Sequence, residues 1–233
     1  MVGIPRRFRA IHVWALTLVA CLCSADFAAG EDSYFLLVFS WQRGETHLRC
    51  THTLATFVKV TNGNSAADPC QFEAHTISWL PVKMEVHPWR LFPQKGHNFD
   101  LEESLHYAVS HNDRISLWGP FQIQEELYNL GLKQIEQLER GSVRYKLIDS
   151  GYFVSAACNC IHAVTDLDPP HRRLRLASPG WGEGASNAAT LKLKRWLIDP
   201  CTIHPWVADL LELDKYPIIH RDLKEPHSFK FGR

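Results

Sequence analysis

Residues Ser33 to Trp41 form an apolar, aromatic run suited to a buried strand. Two segments extend that pattern. Thr51 to Val60 alternates and is rich in β-branched residues, and Phe72 to Leu80 reads as its partner, ending at Pro81. Asn62-Gly63-Asn64-Ser65 between them supplies turn chemistry, so a hairpin is expected here. A turn centred on Asn62-Gly63 places His52 opposite Glu73, with His75 diagonally displaced.

Helical signals follow. Asp100 with Glu103 forms a capping box that opens a helix over 101–110. A strand or turn near Ile115–Trp118 leads to Gly119-Pro120. There a longer helix begins, with Ile123, Leu127, Leu130, Ile135 and Leu138 on its apolar face and Gly141 as its stop. Val143, Tyr145 and Leu147 alternate with basic residues in a following strand. Asn159 caps a helix running from Cys160 to about Leu167, before Pro169-Pro170. A basic loop (His171, Arg172, Arg173, Arg175), a Gly-rich loop over 179–184, a short helix near 191–197 and an extended tail complete the chain. Strands and helices without regular βαβ alternation predict an α+β fold, an antiparallel sheet packed against helices.

Composition narrows the partners. The 25 basic and 25 acidic residues cancel, which removes the electrostatic reason to expect nucleic acid. At the N-terminus, Arg6, Arg7 and Arg9 precede an apolar run from Ile11 to Cys23, followed by small residues through Gly30. That order predicts a secretory signal peptide over residues 1–30 and a protein exported to the periplasm, cell envelope or medium. Leu18-Val19-Ala20-Cys21 also looks like a lipobox, in which Cys21 is lipidated and attaches the chain to a membrane; plain cleavage is the alternative. Of seven cysteines, cleavage leaves five, at 50, 70, 158, 160 and 201. An odd number in an oxidising compartment leaves one thiol over if the others bridge.

Asn159-Cys160-Ile161-His162-Ala163-Val164 is the most informative stretch. With Asn159 as N-cap, Cys160 falls in the first helical turn, where unpaired amides favour a thiolate and hence a nucleophile. The other readings of Cys160 are a small buried hydrophobe or half of a disulfide with Cys201 or Cys50. His162 is two residues along the helix, about 200° away, and so faces away from the thiol. A base must come from elsewhere, and His52 and His75 stand on the two hairpin arms. Cys50 and Cys70, which flank the hairpin, suit a structural disulfide as well as any functional role.

The stretch Asn159–Val164 is similar to the Asn-Cys-Glu-His-Phe-Val motif of lecithin–retinol acyltransferase relatives, within the circularly permuted papain-like proteins that include bacterial amidases and peptidases. Asn159, Cys160 and His162 match that motif, while Ile161 and Ala163 depart from it. His52, in His52-Thr53-Leu54-Ala55-Thr56-Phe57-Val58, resembles the family's first histidine strand. The resemblance implies a permuted papain-like core over 31–168, with 169–233 as a C-terminal extension packing on it. It also implies Cys160 as nucleophile, His52 as base and His75 as the polar residue that orients the base, with Glu73 in reserve. The substrate so implied is a cell-wall peptide or lipid acyl group, joined by an amide or ester. Water as acceptor makes a hydrolase; an alcohol or amine makes an acyltransferase. No cofactor is expected.

Other signals point elsewhere. Ile219-His220-Arg221-Asp222-Leu223-Lys224 mimics a protein-kinase catalytic loop, but no Asp-Phe-Gly follows and no upstream glycine loop exists. Gly180-Trp181-Gly182-Glu183-Gly184 follows no strand and reads as a loop. No metal-binding motif is present, although His52, His75 and Cys160 could between them hold zinc. The second functional expectation is a non-catalytic envelope protein or binding module with structural cysteines.

Overall fold

The central strand β1 (Asp32–Gln42) lies between β2 (Thr51–Thr61) and β6 (Arg114–Ile123), antiparallel to both. Residues Phe35 to Phe39 are fully buried in succession, which a strand permits only when both faces of its sheet are covered. Contacts along β1 show that cover. Tyr34 meets Tyr128 of helix α2 (Glu125–Glu139), and Gln42 meets the amide of Glu183 at the start of α4 (Glu183–Leu193). On the opposite face Phe35 meets Trp206 of α5 (Pro205–Leu210), and Trp41 meets Tyr107 of α1 (Leu101–Ser110). This computed structural model describes residues 32–43, 51–61, 71–87, 90–153, 155–167 and 182–224. The expected leader with Cys21, the expected turn at 62–65, Cys50, Cys70 and the expected basic loop at 171–175 lie outside the described residues.

The fold is α+β. Strand β3 (Gln71–Ile77) completes one side of the main sheet and β9 (Ile218–His220) the other, in the order β3-β2-β1-β6-β9. A second sheet holds β4 (Trp79–Pro81), β5 (Gln94–Asn98), β7 (Arg144–Tyr145) and β8 (Ala157–Cys158), in that order. The main sheet is antiparallel except for β9, which runs parallel to β6. Helix α3 (Cys160–Thr165) leaves the end of β8.

The junction between the sheets governs everything near Cys160. β3 pairs with β2 only as far as Ile77, opposite Ala55. Asn98 then turns the chain away: its Oδ1 accepts from the Ser78 amide at 2.8 Å and its Nδ2 donates to the Thr76 carbonyl at 2.8 Å. The Phe99 amide donates to the Ser78 carbonyl, so each backbone group of Ser78 has a partner outside the main sheet. The start of β2 is left without β3 beside it.

Several local expectations hold and others change. α1 has the expected capping box, with Asp100 accepting from the Glu103 amide and Glu103 accepting from the Asp100 amide. Asn159 caps α3 as expected. The helix expected from Gly119-Pro120 begins only at Glu125, because β6 continues through these two residues. The register against β1 shifts between Leu36 and Val38, and a β-bulge is where a strand accommodates proline. Gly119 has φ +90°, and a Cβ there would lie 2.7 Å from the Leu36 carbonyl oxygen. The loop expected over 179–184 gives way at Gly182, φ +62°, to α4, which starts eight residues before the helix expected at 191. The expected extended tail contains α5 and β9, and the kinase-like stretch falls on the β9 edge. There Arg221 donates to Glu183 at 2.8 Å, beside Arg114 and Ser116. Burial opposes ionisation of Glu183, but the hydrogen bonds from Ser116, Arg114 and Arg221 win and hold its carboxyl below the usual range.

Gly96 of β5 has no room for a side chain, since the ring of fully buried Trp79 occupies the space a Cβ would take. Gly96→Ala is expected to lose about 1–3 kcal/mol through overpacking, read as a lower urea midpoint at unchanged slope.

Candidate functional site

Cys160 is the first residue of α3 and is buried. Three backbone amides serve its sulfur, those of Thr53, Ile161 and Cys160 itself. Thr53 can take part because β3 has already left β2 at this level. These donors lower the thiol pKa, yet burial outweighs them and pushes it up to about 11, with the Asp149 carboxylate adding a smaller push. The sequence expectation of a thiolate at the helix start is thus reversed. Amides are where the motif requires them, but the resting sulfur keeps its proton. Cys160 and Cys201 are both free thiols, so neither is half of a disulfide.

His52 is the residue before Thr53. Its ring lies tilted against Trp41, centroids 4.4 Å apart, and its Nε2 is 2.9 Å from Ser78 Oγ. Ser104 of α1 donates to Ser78 Oγ at 2.7 Å, and the second lone pair of that oxygen can accept the proton of His52 Nε2, the tautomer that leaves Nδ1 an acceptor. His52 Nδ1 is buried with no hydrogen-bond partner, so the Cys160 thiol is not bonded to it in this resting arrangement. Burial alone pulls the imidazole pKa down to about 3, and the ring is neutral. A small cavity lies beside His52 among Trp41, Leu80, Met84 and Tyr107.

His75 and Glu73 do not join this group. The register pairs Phe57 with His75 and Lys59 with Glu73, so His75 lies five residues, about 16 Å, along β2 from His52. The expected register, with Glu73 opposite His52, is displaced because the connection is longer than a turn at Asn62-Gly63. His75 is partly exposed, edge-on to Tyr128 and 3.8 Å from Glu73, while Glu73 accepts from the Tyr128 hydroxyl at 2.9 Å. Zinc held by His52, His75 and Cys160 is excluded by the same separation. Among the described residues no group of three or more His, Cys, Asp or Glu is arranged to hold a metal ion.

Two groups escaped the sequence reading. Ser78 takes the place beside His52 that the resemblance gave to His75. Asp149 is the second: it accepts from the Asn159 amide at 2.9 Å and lies 2.7 Å from His162 Nδ1. Asn159 Oδ1 in turn accepts from the His162 amide at 2.8 Å, and its Nδ2 donates to the Leu147 carbonyl at 3.1 Å. This buried network fixes the cap and hence the Cys160 backbone. The helical phase that turns His162 from the thiol turns it toward Asp149. Comparison of the chain with protein-family profiles, curated proteins and solved structures finds no match.

Two measurements follow from the burial of these groups. In the unfolded chain His52 protonates near pH 6.5, and in the folded protein only near 3. Above pH 6.5 both states are neutral and this contribution to stability is complete. As pH falls from there toward 3 only the unfolded chain gains the proton, and stability declines by up to about 1.4 kcal/mol per pH unit. Urea titrations at pH 7 and 5 are expected to show a smaller decline for His52→Gln than for the parent. Second, iodoacetamide on the folded protein near neutral pH is expected to modify exposed Cys201 well before Cys160, read by peptide mass spectrometry.

Proposed function

We propose that the chain is an exported thiol-dependent hydrolase or acyltransferase acting on an amide or ester, with a permuted papain-like core. The observation that carries this reading is the state of His52. One ring nitrogen is held by Ser78 and Ser104, the other is unspent, and the adjoining Thr53 amide donates to the Cys160 sulfur. A base oriented through one nitrogen and open at the other is what general-base catalysis requires.

The resting pair is neutral, so chemistry starts from a thiol rather than a preformed thiolate. Cys160 moves its side chain toward Nδ1, passes its proton to His52, and the sulfur attacks the substrate carbonyl. The Thr53 and Ile161 amides stabilise the charge that develops on sulfur as the proton leaves. His52 then returns the proton to the departing amine or alcohol, leaving a thioester on Cys160. Water or an acceptor alcohol or amine, deprotonated by His52, cleaves the thioester and restores the thiol. Ser78 and Ser104 position the ring, and Asp149, Asn159 and His162 hold the cysteine backbone. Cell-wall peptides and lipid acyl groups are the substrate classes this reading favours for an exported protein.

The second reading, a non-catalytic envelope protein or binding module, draws on the same burial of Cys160 and His52. A panel of activated acyl esters separates the two. The catalytic reading expects an acyl adduct on Cys160 by mass spectrometry, absent in Cys160→Ala and His52→Gln. Ser78→Ala should lower kcat by about tenfold or more without changing KM, as expected for loss of a positioned base. The kcat/KM profile should be flat between about pH 5 and 9, since neither group titrates there. No adduct with any ester, or turnover that survives Cys160→Ala, would overturn it.

A further inference from the structure

We propose that the outer side of the second sheet docks on an anionic lipid bilayer, a property that holds whether or not Cys160 is a nucleophile. Leu91, Phe92 and Phe153 are 80%, 76% and 84% exposed, and Val82 and Ile148 are about half exposed. Scattered apolar side chains on a surface need no explanation, but a contiguous group does. Backbone pairing holds the segments that carry these side chains side by side. The Val82 amide donates to the Lys95 carbonyl, Lys95 pairs with Arg144, the Arg144 amide donates to Ala156, and Ala157 donates to Phe153. Lys146 Nζ donates to the Arg90 carbonyl, which ties the segment carrying Leu91 and Phe92 to the one carrying Ile148 and Phe153.

The charge around these side chains selects the partner. Lys83, Arg90, Lys95, Arg144 and Lys146 lie on the same two segments, and among the described residues none is paired with a carboxylate. The described acids there are Glu85, exposed, and Asp149, buried against His162 and Asn159. A chain with no net charge therefore concentrates cations around its protruding apolar side chains. Aromatic and aliphatic tips that enter the acyl boundary, ringed by cations that meet phosphate, suit an anionic bilayer. A second copy of the face would instead oppose five cations to five.

Hydrogen exchange of the full chain tests this locally, with phosphatidylcholine vesicles prepared with and without phosphatidylglycerol. The expected result is slowed exchange at 82–95 and 146–156 with the anionic vesicles only. Lys95→Gln/Arg144→Gln should bind these vesicles roughly thirtyfold more weakly, each cation near the surface contributing a similar factor. Phe92→Ser/Phe153→Ser should remove the protection with the far-ultraviolet circular dichroism unchanged. Vesicle binding that leaves both segments unprotected would overturn the proposal and assign attachment to another part of the chain. Protection without lipid that grows with protein concentration would also overturn it, in favour of self-association.

Discussion

The early departure of β3 from β2 is the constraint on which the rest of the site depends. A strand that loses its neighbour exposes backbone amides that must be satisfied elsewhere. At Thr53 the partner is a sulfur, brought there by a helix whose cap is locked to Asp149. The chain responsible for the departure is Asn98, which takes both the amide of Ser78 and the carbonyl of Thr76. The same turn delivers the Ser78 hydroxyl to His52. One asparagine thereby leaves the Thr53 amide to the cysteine and gives the histidine its partner.

Burial and hydrogen bonding compete at Cys160, and magnitude decides the outcome. Amides at a helix start usually acidify a thiol, and here two of them, with the Thr53 amide of β2, act in that direction. Removal from water acts the other way and is larger. His52 shows the same balance with nothing to oppose desolvation. Both groups are consequently neutral over the range in which proteins function, and any chemistry between them begins with proton transfer rather than with an ion pair.

What the sequence made legible was local. The capping box of Asp100 and Glu103 and the cap of Asn159 close hydrogen bonds within four residues, so residue type and spacing suffice to identify them. The buried character of 33–41 was equally plain, because a whole run of apolar side chains leaves few alternatives. The hairpin register was not, since it depends on how residues 62–70 connect two arms rather than on the arms. His75 and Glu73 were placed with that register and moved with it. Ser78 and Asp149 were invisible for a related reason: each acquires its role from a neighbour at least ten residues away, and neither stands in a pattern that distinguishes it from an ordinary loop residue. Pro120 misled because proline opens helices more often than it interrupts central strands, and the bulge that admits it is a property of the pair β1 and β6.

Strand β9 bears on biosynthesis. The main sheet takes its sixth-strand neighbour from residues 218–220, anchored by Arg221 on Glu183. Until that part of the polypeptide has emerged from the ribosome, the outer rim of β6 presents open donors and acceptors to any other extended chain. Completion of the sheet therefore waits on residues 218–220, and until they emerge the open edge of β6 remains available to a chaperone.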